Sequence, residues 1–409
     1  MQDVTATGAT TPRTVEEHAA AVAALIGPAP VVRAPLADAF GRVLAADLTA
    51  PVSLPPFDNS AMDGYAVRST DVAGACRDTP VSLPVAGDIP AGHTDNRPLP
   101  PGATLRIMTG APLPPGADAV VKVEETSGDA TGTVQIFAAV EPGTHLRRSG
   151  DDVVAGSTVL RAGAVLGAAQ LGVAAAVGAA ALPVYRPLRA LVLSTGSELV
   201  EQGRPLAHGQ IYESNGTMLA AAVRSCHGEA ELLRFVPDDV DALRKALDPR
   251  LPGVDLVITS GGVSAGAYEV VKDAFTGHGV DFVKVAMQPG GPQGCGRFEG
   301  VPVITLPGNP VSSLVSFEVF LRPALRSAMG YRDDRRTLTA RLAEPVGATP
   351  GRRQHRRGWY DAATGQAQLV GGPGSHLLAA MAEANCLVVI PEDAADLPTG
   401  AEVRLLPLC

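Results

Sequence analysis

Between residues 188 and 330, short uninterrupted apolar runs alternate with longer stretches whose apolar positions recur every three or four residues. The runs LRALVLS (188–194), AELLRFV (230–236), VDLVIT (254–259), VDFVKVA (280–286) and VPVITL (301–306) have the length and composition of buried strands. Helical patterning falls at about 216–225, 238–247, 268–277 and 311–326. Alternation at this spacing predicts a largely parallel sheet with helices on both faces.

The pattern on either side differs. Thr14 is placed to cap a helix whose first turn suits Glu16 and Glu17 and whose alanine-rich run reaches Leu25. PVSLPPFDNSAMDGYAV (51–67) reads as a proline-stiffened loop entering a strand. VSLPVAG, ATLRIMTG, DAVVKVEE and TVQIFAAV continue as short strands to about 140. Residues 162–185 run 24 positions without a charge, close to the ~20 that span a bilayer. Their Ala and Gly content, with Gln170 and Pro183, predicts instead a buried helix followed by a strand. Beyond 331, TLTARLAE, AQLV, CLVVIP and EVRLL predict a small closing β domain. The expected fold class is α/β plus β in several domains: 14–52 with 142–185, 53–141, 186–330 and 331–409.

Composition narrows the function. A chain of 409 residues exceeds one ordinary core. Its net charge of -9 argues against nucleic acid as a partner but leaves a small anion open, because a few local cations suffice for that. Five scattered cysteines without a C-x-x-C pair, and no charged-then-apolar opening segment, point to a soluble cytoplasmic protein with neither membrane anchor nor disulfide framework.

In an open α/β sheet, ligands bind outside the carboxyl ends of the strands. Three predicted strands end in glycine-bearing loops: Thr195-Gly196-Ser197-Glu198, Ser260-Gly261-Gly262-Val263-Ser264 and Pro307-Gly308-Asn309-Pro310. Glycine admits close backbone approach and a helix start offers free N–H groups, so three such loops together predict an anion or nucleotide site. None matches a P-loop or dinucleotide fingerprint. Asp58 and Asp63 in FDNSAMDG suit either an Asx-type turn or a ligand role. Glu198, Asp152, Asp238 and Glu269 are further oxygen donors of the kind Mg²⁺ takes beside phosphate and water. Lys284 either snorkels or serves a ligand, and the run Arg352 to Arg357 either pairs with oxyanions or forms a solvated basic strand.

PPFDNSAMDGYAV, IMTGAPLPPGADAVV, STGSEL, GQIYESN, GGVSAG and LPGNPVSS occur in that order. With these six motifs the chain, from about residue 14 to its end, closely resembles the molybdopterin molybdenumtransferases, the MoeA proteins and the gephyrin E domain. The resemblance implies an elongated, four-domain homodimer with clefts between the α/β domain of one subunit and parts of the other. It also implies the reaction: adenylylated molybdopterin is cleaved with Mg²⁺, molybdate is inserted into the dithiolene, and AMP leaves. The catalytic positions it implies are Asp63, Glu198, Thr109 and Asp238, and the metal ligands Asp63, Glu198, Asp152 and Glu269. Substrate binding would fall to Gly261, Gly262, Ser264, Lys284, Pro307, Gly308, Asn309, Arg357 and Ser375. A molybdopterin adenylyltransferase and recipient molybdoenzymes are the implied protein partners.

The chain departs from that family pattern in places. Gln288 and Gly291 stand where lysines are expected, Cys295 replaces an aromatic residue, and Glu269 replaces an aspartate. These changes motivate an alternative: a paralogue or scaffold that binds molybdopterin or a related anion with weak or no insertion.

Overall fold

The computed structural model describes residues 11–92, 97–128, 132–236, 239–261, 270–332, 335 and 337–408. They fall into two compact units, one from Met1–Val32, Gly41–Ala45 and Val184–Cys409, the other from Arg33–Phe40 and Ala46–Pro183.

The larger unit is built on a six-stranded sheet. Its order is Glu229–Val236, Arg189–Thr195, Leu256–Ser260, Val301–Leu306, Pro292–Phe298 and Val280–Lys284. The first four strands are parallel; Pro292–Phe298 runs antiparallel to both of its neighbours, so the expected parallel sheet carries one reversed strand next to its edge. Ser194 lies opposite Ser260, and Ser260 opposite Leu306, so three carboxyl ends finish level.

Both sheet faces are covered, which is why the central strands read as continuous apolar runs rather than alternating ones. On one face Val192, Ile258 and Ile304 pack with Phe317 and Phe320; on the other Leu191, Leu193, Val257 and Val303 pack with Leu243 and Phe275. The predicted 311–326 helix is a continuous run of Pro310–Ser316, a π turn at Phe317–Leu321, and Arg322–Ala328.

Helix Val15–Leu25 starts as its sequence dictates. Glu17 N–H donates to Thr14 Oγ1 at 3.1 Å and Thr14 N–H to the Glu17 carboxylate at 2.8 Å, a reciprocal cap that satisfies two otherwise orphaned donors. Val15, His18 and Val22 form its buried stripe, with the His18 ring edge-on to Phe320 at 4.7 Å.

The C-terminal strands close into a barrel. Arg353–Asp361 pairs with Gln366–Leu369, which continues through Leu338–Leu342 and Glu402–Pro407 to Cys386–Ile390; that last strand pairs back onto Arg353–Asp361. Among the described residues, closure gives each of these five strands a neighbour on both sides. Met287–Gln288 adds alongside Arg353–Asp361, tying the 284–292 segment to the barrel.

The smaller unit holds a five-stranded sheet in the order Ala119–Lys122, Gly64–Val67, Thr104–Ile107, Val81–Ile89 and Thr133–Ile136. Residues 162–185 form helix Ala168–Ala176 and strand Ala181–Tyr185, but the helix is not buried as expected: only Ala174 of its residues is. An Ala/Gly surface offers little apolar area to hide, so an uncharged run of this kind has little drive to bury. No described helix is long and apolar enough to cross a membrane.

Candidate active site

Three glycine-bearing loops leave the level strand ends side by side, and two adjoining cavities of the larger unit lie among them. The first is lined by Thr195, Gly196, Ser197, Glu198, Glu213 and Asn215, among others. The second is lined by Lys284, Gln288, Pro307, Asn309, Arg352 and Ser375. Gly261 and Gly308 line both. A Cβ on Gly308 would stand 3.4 Å from Gly261 Cα, so the side-chain-free residues let the two loops approach closely.

Glu198 is the exposed acid of the first cavity. It folds back over Gly196, where a Cβ would lie 2.7 Å from its carboxylate. No described residue hydrogen-bonds to that carboxylate, so its lone pairs are available to a cation or to water.

The second cavity is the basic one. Lys284, at the end of its strand, is exposed and lines it. Asn309 Nδ2 donates to Ser375 Oγ at 2.9 Å, and Val311 N–H to Ser375 O at 3.1 Å. Those two bonds fix the Ser375 loop against the start of the 310–328 helix.

Arg357 behaves differently from the oxyanion-binding group expected of it. It is 5% exposed, and its guanidinium donates to the carbonyls of Val370 at 3.3 Å, Gly374 at 3.0 Å and Gly372. All three lie in the loop leading to Ser375, so Arg357 shapes that loop. Burial and the neighbouring Arg356 both lower its pKa. The cavity-lining cation of this strand region is Arg352. Nor is the 353–357 run a solvated basic strand: Gln354, His355 and Arg357 are buried, and Arg353 is paired with Glu392 and Glu16.

Asp63 and Thr109 meet in the smaller unit. Thr109 donates to Asp63 Oδ1 from its N–H at 2.6 Å and its hydroxyl at 2.8 Å, and these bonds hold the Asp63 pKa below the usual carboxylate range. Asp58 serves structure: Ser149 N–H and the Arg148 guanidinium donate to it at 2.8 and 2.6 Å, which lowers its pKa and ties the 148–149 turn to 58. Asp152 is exposed on a turn whose N–H donates to Leu54 O. Asp238, Gly262, Ser264 and Glu269 lie outside the described residues. Among the described residues, no three His, Cys, Asp or Glu side chains cluster closely enough to form a metal cage. Mg²⁺ does not need one, since it commonly binds one or two carboxylates with phosphate and water. The free carboxylate of Glu198 fits that donor set.

Comparison with known proteins decides the family. The MoeA N-terminal region (domain I and II) matches residues 13–178, a probable molybdopterin binding domain 191–327, and the MoeA C-terminal region (domain IV) 339–408. A Mycobacterium tuberculosis protein named molybdopterin molybdenumtransferase 2 is 52% identical, covering 97% of this chain and 100% of the relative. The chain belongs to the molybdopterin molybdenumtransferase family. A Haemophilus influenzae molybdopterin molybdenumtransferase is 36% identical over 91% of this chain and 92% of its own. A molybdopterin biosynthesis MoeA protein from Pyrococcus horikosii superposes with a TM-score of 0.82 at 31% identity, over 96% of this chain and 98% of that one.

Within this MoeA-family chain, sequence reasoning passed over Glu213 and Asn215, and it named Arg352 only as the first member of the 352–357 run. Arg352 had a signal in its position two residues after Pro350, at the turn that opens a barrel strand. Glu213 and Asn215 had theirs in the GQIYESN motif, to which no chemistry was assigned.

Proposed function

We propose that this chain inserts molybdenum from molybdate into adenylylated molybdopterin, with Mg²⁺-dependent release of AMP, acting as a homodimer. The observation that carries the reading is the adjacency of two cavities of opposite character. A free carboxylate, Glu198, lines one; Lys284, Arg352 and backbone-rich glycine loops line the other. The first suits a cation held against a phosphate, the second an oxyanion such as molybdate or phosphate.

Glu198 would hold Mg²⁺ together with water and substrate phosphate oxygen, where the ion supplies charge neutralisation for the departing AMP. Lys284 and Arg352 would draw molybdate to the dithiolene, and Ser375 would donate to one of its oxygens. Arg357 keeps the Ser375 loop in place for this. The dithiolene sulfurs receive the metal, so the protein's own part is positioning and electrostatics.

The test is direct. Purified protein supplied with adenylylated molybdopterin, molybdate and Mg²⁺ is expected to release AMP in step with cofactor formation, and to stop when Mg²⁺ is chelated. Saturating substrate with no AMP release would discard the reading and leave a molybdopterin-binding paralogue. A molar mass near one chain at working concentration would discard the homodimer.

A further inference from the structure

The motif GQIYESN ends in a pair of residues that the chemistry above leaves unused, Glu213 and Asn215. Asn215 Nδ2 donates to Gly308 O at 2.6 Å and to Ser260 Oγ at 2.7 Å. A carbonyl oxygen only accepts, so the contact with Gly308 fixes which end of the amide faces the loops. Asn215 therefore joins the carboxyl end of strand Leu256–Ser260 to the loop after Val301–Leu306. Those loops otherwise meet through the backbone bond from Gly261 N–H to Leu306 O at 3.0 Å and the glycine-on-glycine approach of Gly261 and Gly308.

Glu213 completes the junction. It is buried, accepting from Gly216 N–H at 2.6 Å and Ser194 Oγ at 2.9 Å through Oε1, and from Thr217 Oγ1 at 3.2 Å through Oε2. One helix start thus engages Ser194, Ser260 and Gly308, at the ends of three adjacent parallel strands. A Cβ on Gly216 would lie 2.6 Å from Ser194 Oγ, so the helix start is pressed directly on the first strand.

We propose that Asn215 is a positioning residue of the active site, setting the distance between the Glu198 cavity and the Lys284–Arg352 cavity by holding the 261 and 308 loops in register. The inference rests on the function proposed above and deepens it. Asn215 acts through the two loops, and the bound groups at either end of the reaction feel its loss together.

Asn215→Asp provides the test, because it keeps the shape and turns the donor into an acceptor facing a carbonyl. At neutral pH kcat/KM for AMP release is expected to fall roughly 10- to 100-fold, the scale that a small misplacement of reacting groups costs. Acidification protonates the new carboxyl, which then donates one bond, so part of the loss is recovered at low pH where the wild type gains nothing. Asn215→Ala should show the same loss without acid recovery, and Ser260→Ala, which removes one of the two ties, a smaller one. Melting curves identify any variant that has simply unfolded. Wild-type kinetics and an unshifted pH profile in folded Asn215→Asp would overturn the proposal. If that variant does not fold, wild-type turnover in both Asn215→Ala and Ser260→Ala overturns it instead. A wild type that releases no AMP defeats the insertase reading alone; equilibrium binding of molybdate to the same variants then decides, and unchanged affinity ends the proposal.

Discussion

Thr109 donates twice to a single oxygen of Asp63, through its backbone N–H at 2.6 Å and its hydroxyl at 2.8 Å, and so aims an exposed carboxylate. The N–H is the larger influence on its pKa and the hydroxyl the next, and both favour the ionised form. The folded pKa therefore lies below the unfolded value of about 3.9. The pair's contribution to stability is present above that value and lost as pH falls through the folded pKa. Thr109→Val removes the hydroxyl donor and keeps the N–H. Its acid limb in a pH–rate profile is expected to move upward towards the ordinary carboxylate range. Asp63→Asn should lose about 10²-fold or more in turnover, with at most a small drop in melting temperature as the Thr109 bonds lose their ionised acceptor. An unmoved acid limb in Thr109→Val would remove Asp63 from the rate-determining ionisations.

What was legible in the chain follows from how each element is held. Strands buried on both faces announce themselves as apolar runs, and the capping box at Thr14 and Glu17 is local, so both could be read directly. Strand Pro292–Phe298, which carries Gly294 and Gly296, was not among the strands read from the sequence. Those glycines are demanded by packing: a Cβ at 294 would sit 2.0 Å from Thr305 Oγ1, and at 296 2.0 Å from Gly279 O. Glycine looks like a turn in sequence whether it serves a bend or a close approach. Of the residues expected at the site, Glu198, Gly261, Lys284, Pro307, Gly308 and Asn309 line the two cavities, because topology places strand-end residues there. The direction of Arg357 was not legible, since its partners are backbone carbonyls that carry no side-chain signature.

Glu198 has no described hydrogen-bond partner, so its removal should cost the fold little. Glu198→Gln retains its shape and deletes the charge. AMP release is expected to drop about 10²-fold or more, with a higher Mg²⁺ requirement, while the melting temperature stays at the wild-type value. A Mg²⁺ titration of turnover checks this. An unchanged half-saturation point together with unchanged turnover would assign the metal to other groups.

Arg357 and Arg352 should separate stability from binding. Arg357→Ala leaves three carbonyls without their donor in a largely buried place, a loss of roughly 2–4 kcal/mol. It should lower the melting temperature and loosen the Ser375 loop. Arg352 is exposed in the basic cavity, so Arg352→Ala should leave melting within error and raise the molybdate concentration needed for half-maximal turnover. Calorimetry and a molybdate titration on both variants decide, and equal effects on both measurements would contradict the division of roles.

The basic cavity lacks a lysine at 291, and its backbone can accept one. A Cβ on Gly291 would meet Val285 O at 3.4 Å and Met287 O at 3.6 Å, ordinary contact distances, and its φ is not in the left-handed region. Gly290 beside it is different: its φ is +94° and a Cβ there would lie 2.7 Å from Ser316 Oγ. Gly291→Lys should therefore fold normally and add an ammonium beside Lys284 and Arg352. Half-maximal molybdate is expected to fall several-fold, and more at low ionic strength than at high, because exposed charges are screened over about 10 Å in 0.1 M salt. Gly290→Lys should instead destabilise the chain, which guards against reading any added lysine as a gain. If Gly291→Lys leaves the molybdate response untouched at every salt concentration, the missing lysine has no bearing on anion capture.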